Sequence, residues 1–336
     1  MSHTPPFHRL LHLPHDDLLV LLHLDTVVVL NTTTGKIVAK TKDLSAPSTK
    51  PLTVYRWLAF DQSTNTLAIA ADNKELACFD ATKWEKVHTR ESIKRANCVS
   101  FSPDGKLIIG DKFGDVYSVK RDDAEGQESL ILGHVSMLTD LVFSQDGKFI
   151  ITADRDEKIR VSHYPLAYDV EGFCLGHRSY VSKLHLLPFA SDILLSGGGD
   201  PAILSWDWQT GQIIQKIDLD FPSEADPKSL ALTSIHSHST TKLIAVTLES
   251  QPYVLLYDAA DPRDVKFREK VEVGTEVLDC EFDREGNLWV VVGGGKGVGV
   301  EGVEGWVRRW RREGEKFTEQ KDDPLVAELN ALKLSQ

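Results

Sequence analysis

His177, Ser196 and Asp200 are the residue types of a nucleophilic triad, in which a carboxylate orients an imidazole and the imidazole activates a hydroxyl. Trp206 follows six residues after Asp200 in the turn order that such a set would need. One unit earlier the order returns as His134, Thr152 and Asp156, with Ser162 where Trp206 would stand. A constellation that recurs along a chain serves whatever is repeated. The same groups can form a buried chain of hydrogen bonds, carboxylate to imidazole, imidazole to hydroxyl, hydroxyl to indole N–H, leaving no polar group without a partner. His177, Ser196, Asp200 and Trp206 are therefore read as a structural tetrad, the set around His134 as an incomplete copy, and no residue is assigned a catalytic role. An enzyme with these groups lining a central channel is the reading that burial of the three side chains would remove.

Other stretches invite chemistry. From Asp154 to Arg160, six of seven positions are charged. Asp156 is the tetrad-type turn aspartate and Arg160 belongs to a strand whose stem coats the sheet surface. Asp154 and Arg155 stand where small residues are usual, and bulky charges there must face solvent or a partner. Arg308, Arg309, Arg311 and Arg312 surround Trp310, a pattern suited to RNA contact, although Trp310 itself belongs to the core and Glu313 and Glu315 lie close by. "GGGKGVGVEG" (residues 293–302) has glycines for a phosphate loop but no Gly-Lys-Ser/Thr after a four-residue gap, and reads as an insertion between strands. His3, His8, His12, His15 and His23 show no recurring ligand spacing; residues 7–30 read as strands with histidines on the polar side, and no metal site is assigned. Cys78, Cys98, Cys174 and Cys280 include no C-x-x-C pair and are expected to be reduced and buried. No dinucleotide-binding G-x-G-x-x-G follows a strand, so no cofactor is expected on this chain.

What must position these residues is a repeat. Gly133-His134 returns as Gly176-His177, 43 residues on, and "FSPDGK" at 101–106 returns as "FSQDGK" at 143–148, with "FDREGN" at 282–287 a weaker copy. An Asp-Gly pair between alternating runs marks a hairpin turn. Second strands are expected at Leu107–Gly110, Phe149–Ala153, Ile193–Gly197 and Leu288–Val292. Third strands end at Leu30-Asn31, Phe79-Asp80, Val119-Lys120, Ser162-His163, Trp206-Asp207, Tyr257-Asp258 and Trp310-Arg311, spaced 49, 40, 43, 44, 51 and 53 residues apart. A period near 40–45 is the signature of propeller blades. The expected fold is all-β: one seven-bladed WD-repeat β-propeller over 1–322, a closed ring of blades that leaves only short edges exposed. A short amphipathic C-terminal helix over 323–336 is announced by Asp323-Pro324 and the apolar Leu325, Val326, Leu329 and Leu332.

The 336 residues are 41% hydrophobic and carry a net charge of −12. Such a chain buries a core, and its acidity disfavours strong binding to nucleic acid by the propeller alone. Neither a run of 18 apolar residues nor a signal segment is present, so a soluble, intracellular and membrane-free protein is expected.

"LGHVSMLTDLVFSQDGKFIITADRDEKIRVSHYP", then "FCLGHRSYVS" and "SGGGDPAILSWDWQTG", together residues 130–215, resemble the WD-repeat, non-catalytic subunit of the eukaryotic tRNA (guanine-N7)-methyltransferase. The resemblance implies a scaffold that forms a heterodimer with a separate Rossmann-type catalytic subunit. That partner binds S-adenosylmethionine and makes N7-methylguanosine in tRNA, and the propeller holds it in its active conformation. By matching position, Arg155, Asp156, Glu157, Lys158 and Arg160 become partner contacts, with Lys158 and Arg160 foremost, and tRNA is met mainly through the partner. A nuclear location, with the cytoplasm as a second place, is implied in the same way. The alternative from the fold alone is a WD-repeat adaptor in a ubiquitin ligase or ribosome-assembly complex.

Overall fold

Strand character follows from apolar content. Second strands such as Leu18–His23, Thr66–Ala71 and Leu243–Leu248 are almost wholly apolar and are covered on both faces, whereas the fourth strands are mostly half-buried or exposed. In a computed structural model, residues 7–13, 17–42, 54–122, 126–219, 231–293, 307–321 and 323–330 are described. They form seven four-stranded antiparallel sheets, a seven-bladed β-propeller with a short helix after the last blade.

The strands, in chain order, are β1 (Arg9–Leu13), β2 (Leu18–His23), β3 (Thr26–Asn31) and β4 (Ile37–Lys42) in blade one. Blade two is β5 (Tyr55–Asp61), β6 (Thr66–Ala71), β7 (Glu75–Asp80) and β8 (Glu85–Glu91). Blade three is β9 (Ala96–Phe101), β10 (Lys106–Asp111), β11 (Asp115–Lys120) and β12 (Ser129–Gly133). Blade four is β13 (Leu138–Phe143), β14 (Phe149–Asp154), β15 (Ile159–His163) and β16 (Val170–Cys174). Blade five is β17 (Val181–Leu187), β18 (Ala190–Gly198), β19 (Ala202–Asp207) and β20 (Gln212–Asp218). Blade six is β21 (Leu232–His238), β22 (Leu243–Leu248), β23 (Tyr253–Asp258) and β24 (Lys266–Glu272), and blade seven β25 (Val277–Phe282), β26 (Leu288–Val292), β27 (Val307–Glu313) and β28 (Lys316–Glu319). Each sheet is made of four consecutive strands. Six third strands end on the expected dipeptide; β27 runs past Trp310-Arg311 to Glu313.

The hairpin turns explain why the repeat is legible. Gly105, Gly147 and Gly286 have φ of 75°, 71° and 81°, the left-handed conformation that glycine adopts without a Cβ penalty. In the first two copies a serine hydroxyl closes the turn on the aspartate, Ser102 to Asp104 and Ser144 to Asp146, both at 2.6 Å. In the third, Asp283 takes the serine's place and its Oδ1 accepts the N–H groups of Glu285 and Asn287 at 3.0 and 2.9 Å.

The chain divides into two compact units. One gathers residues 1–55, 236–257 and 267–336, hence blades one and seven and most of blade six; the other gathers 56–235 and 258–266, with blades two to five. In the first, the C-terminal helix α1 (Pro324–Asn330) buries Val326 and Leu329 among Phe7, Leu10, Leu19, Leu21, Trp289 and Val307. Asp323 caps it, its Oδ1 accepting the N–H of Leu325 at 2.9 Å. The rest of the expected 323–336 helix lies outside the described residues. In the second unit, Trp206 and Trp208 pack with Ile151, Val161, Leu184 and Leu194 between blades four and five. Among the described residues no helix is long and apolar enough to cross a membrane.

Candidate functional site

The turn between β14 and β15 is built from its buried first residue outward. Asp154 ends β14 and is only 2% exposed. Its Oδ2 accepts the Nδ1–H of His134 at 2.9 Å, and its Oδ1 accepts the N–H groups of Asp156 and Lys158 at 2.9 and 3.1 Å. Burial alone would raise its carboxyl; the bonds from His134 and the backbone outweigh this and hold it below the usual carboxylate range. The Lys158 carbonyl accepts the Asp154 N–H at 3.1 Å, and the Met137 carbonyl accepts the Arg155 N–H at 2.9 Å. The backbone of the turn is thus fixed at both ends and to the preceding loop. Arg155, Asp156, Glu157 and Lys158 are exposed.

This geometry corrects the sequence reading of blade four. The carboxylate that orients His134 belongs to Asp154, not Asp156, and it is buried rather than facing solvent or a partner. Counting from the threonine, in register with blade five, selects Asp156; the chain instead places an acidic side chain two residues earlier, where blade five has Gly198. Blade three carried the signal: Asp111 and Asp154 each stand nine residues before the last residue of a third strand, Lys120 and His163. Asp111 is likewise buried and accepts the N–H groups of Phe113 and Asp115 at 2.7 and 3.0 Å. The Nε2 of His134 meets Thr152 Oγ1 at 2.8 Å, and the Ser162 hydroxyl, where a tryptophan would close the chain, is buried without a partner.

Arg160 differs from its neighbours. It is half-buried, and its Nη1 donates to the Gly133 carbonyl at 3.0 Å. Its Nε and Nη2 are shielded and make no hydrogen bond. As placed, Arg160 ties β15 to the end of β12, so the exposed set narrows to Arg155, Asp156, Glu157 and Lys158.

In blade five the four tetrad side chains come together. His177 Nδ1 donates to Asp200 Oδ2 at 2.7 Å, its Nε2 accepts from Ser196 Oγ at 2.7 Å, and Trp206 Nε1 donates to that same Oγ at 2.7 Å. Burial pulls the His177 imidazole below its ordinary value, which keeps it the neutral acceptor this chain needs. Ser196 and Trp206 are fully buried and His177 is nearly so. A serine without exposure, already bonded on both sides, cannot meet a substrate.

The arginines of blade seven are mostly occupied. Arg309 is buried, pairs with Asp323 at 3.0 Å and with Asp283 at 3.5 Å, and lies over the Trp289 ring. Arg308 donates to the Val273 carbonyl at 2.8 Å and pairs with Glu319 at 3.6 Å. Arg312 is half-buried and Arg311 alone is exposed. Of the four arginines expected to meet RNA, the geometry removes Arg309, which is buried and braces the helix cap, while Arg308 is partly engaged in bracing its blade. Trp310 is core, as expected.

Of the histidines, His3 and His15 lie outside the described residues, as does the glycine-rich stretch beyond Gly293. His23 is buried against Phe7, not on a polar side, and His8 Nε2 bonds the Tyr55 carbonyl. Among the described residues no cluster of three or more His, Cys, Asp or Glu side chains could hold a metal. The four cysteines form no disulfide and are buried; burial pushes Cys78 up to about 11 and Cys174 up to about 12, which leaves both as unreactive thiols. Sequence reasoning missed one cluster altogether. His236 on β21 meets Glu281 at 3.0 Å and Asp279 at 3.4 Å on β25, and Asp279 also accepts the Leu10 N–H of β1 at 3.0 Å. His236 stands 43 and 45 residues before Asp279 and Glu281, a separation that follows no local pattern.

Comparison with known proteins adds a family. The sequence profile described as "tRNA methyltransferase TRM82 WD40 domain" matches residues 119–297. The chain is 36% identical over 242 residues to the tRNA (guanine-N(7)-)-methyltransferase non-catalytic subunit wdr4 of Xenopus laevis, covering 70% of this chain and 61% of that protein. It is 31% identical to the Homo sapiens protein of that name, covering 69% and 58%, and 31% identical to the non-catalytic subunit TRM82 of Meyerozyma guilliermondii, covering 70% and 61%. The chain therefore spans about three fifths of the length of these curated relatives. Among solved structures, those titled "Structure of U3-55K" and "Crystal structure of RRP9 WD40 repeats" superpose with TM-scores of 0.71 and 0.70. Both are 16% identical, cover 87% of this chain and 90% and 89% of theirs, and bear on the fold alone.

Proposed function

This chain belongs to the tRNA methyltransferase TRM82 WD40 domain family, and from that premise we propose that it is the non-catalytic scaffold subunit of a tRNA (guanine-N7)-methyltransferase, binding the catalytic subunit and holding it in its active form. The observation that carries this reading is the turn Arg155–Lys158: four exposed charges on a backbone fixed by a buried aspartate, inside the matched stretch. A rigid charged turn loses little conformational entropy on docking and can place its ion pairs in register with a partner. Arg155, Asp156, Glu157 and Lys158 are the contact residues in this reading, and Arg160 supports them from behind.

The catalytic partner supplies the chemistry: S-adenosylmethionine binds there, and tRNA is engaged mainly there. The pair is a heterodimer, located in the nucleus and also in the cytoplasm. Affinity purification of the chain from its source organism tests this. A stoichiometric tRNA methyltransferase subunit is expected, with guanine-N7 activity in the eluate and none from the chain alone. Recovery of ubiquitin-ligase or ribosome-assembly components without a methyltransferase would favour an adaptor role instead.

A further inference from the structure

Beyond the Arg155–Lys158 turn, the same loop surface carries an apolar centre that no function above uses. Ile93, Phe113 and Val135 are 51%, 54% and 101% exposed, on the loops that follow β8, β10 and β12. These loops are continuous with the charged turn through direct contacts. Lys94 and Lys112 lie over the Phe113 ring, with Nζ at 5.2 and 5.0 Å from its centroid. The Gly114 carbonyl accepts the His134 N–H at 2.9 Å. A Cβ on Gly114, whose φ is 101°, would meet the carbonyl oxygens of Ser136 and His134 at 2.4 and 2.6 Å, so the two loops touch backbone to backbone. From Met137 the next step is the hydrogen bond to Arg155 already described. Asp111 holds the Phe113 loop as Asp154 holds the charged turn, so the aromatic ring is presented on a fixed backbone.

The charge of this surface is opposite to that of the chain. Lys94, Arg95, Lys112, Arg155 and Lys158 are exposed on it, against the exposed acids Asp156 and Glu157, whereas the whole chain carries −12. We infer that Ile93, Phe113 and Val135 form the apolar centre of a docking surface whose cationic border extends the contact from blade four across blade three, and that its occupant is an acidic, amphipathic segment of the catalytic methyltransferase subunit. The inference rests on the scaffold reading and names the second half of that contact. A protein occupant is favoured over RNA by the side chains themselves. Ile93 and Val135 have no π-face, and the Phe113 ring is already attended by two ammonium groups, whereas an aliphatic–aromatic centre with a cationic rim suits an acidic helix with one apolar face. Water leaving three exposed apolar groups supplies affinity, and the lysines and arginines supply orientation.

The test is titration of the purified catalytic subunit onto the full-length chain, and separately of fluorescently labelled tRNA, using Phe113→Ser, Lys94→Glu/Lys112→Glu and Arg155→Glu/Lys158→Glu. Because the mutated side chains are exposed, melting temperatures should stay near wild type; a second apolar variant, Val135→Ser, repeats the readout at a side chain with no internal contacts to lose. Phe113→Ser is expected to weaken binding of the catalytic subunit at least about tenfold. That loss should persist at high salt, whereas the loss from the lysine reversal should fade there. If the turn reversal weakens binding and both apolar variants leave it unchanged, the inference is overturned and the scaffold reading stands. If the apolar variants weaken tRNA binding alone, the surface belongs to RNA and the inference is likewise overturned. If the wild-type chain fails to bind the catalytic subunit, the scaffold reading falls and takes the inference with it.

Discussion

At the scale of single residues, buried polar groups decide what this chain can and cannot do. The Ser196 hydroxyl has the neighbours of a nucleophile but donates its proton to His177 and accepts from Trp206, fully buried inside a blade. The cluster around His236 makes a second point. Burial alone would lower this imidazole, but Glu281 and Asp279 overcome that and lift it to about 10. A raised folded-state value means that the native protein keeps a proton which the unfolded chain releases near 6.5. The contribution of His236 to stability is therefore complete below that pH and is lost as pH rises towards about 10. His236→Gln should be destabilised at pH 6, and the gap between it and the wild type in denaturant melts should narrow steadily from pH 7 to pH 9. A gap that stayed constant over that range would mean the imidazole is neutral in the fold and the carboxylates are satisfied in another way. No part of this cluster was visible beforehand, because its members are brought together by the first strands of three different blades.

At the scale of the element, the turn between second and third strands repeats a backbone conformation that side chains resist. The position three residues after Asp154 is Glu157, with φ of 72°, and the corresponding position after Asp111 is Gly114, with φ of 101°. A non-glycine residue in this left-handed region costs about 1 kcal/mol or more. Glu157→Gly should therefore stabilise the folded chain by up to about 1 kcal/mol, offset in part by the added freedom of the unfolded state, while removing one charge from the exposed turn. Chemical denaturation measures it; a loss of stability would show that the Glu157 side chain makes a contact worth more than the strain. The blade elements were largely legible in the sequence. Asp-Gly hairpins need left-handed glycines, and third strands end on recurring dipeptides, so periodicity carried the strands and the C-terminal helix from Pro324. The carboxylate partner of His134 was not legible by counting from Thr152 in register with blade five, because blade four shifts its acid two residues towards the strand; only the spacing from the third-strand end, shared with blade three, pointed to it. The arginines after Val307 were not legible either. Their spacing looks like an RNA stripe, and only the fold reveals that Asp283 and Asp323 neutralise Arg309.

At the scale of the whole molecule, the scaffold reading asks an exposed cationic edge on an acidic chain to choose the partner, and in blades three and four that edge stands on turns fixed by Asp111 and Asp154. Long-range attraction sets how fast such an edge finds an oppositely charged surface, and the fixed turn sets how long it stays. Reversal at the exposed positions tests this more cleanly than mutation of Arg160, because Arg160 also ties β15 to Gly133. The most direct measurement is the dissociation constant between the full chain and the catalytic methyltransferase subunit, for wild type and for Arg155→Glu/Lys158→Glu, with a thermal melt of each alone. The account predicts affinity lowered at least about a hundredfold, as for loss of about 3 kcal/mol from desolvated charge pairs, with melting temperature nearly unchanged. Unaltered affinity, or lost affinity accompanied by a collapsed melt, would contradict it.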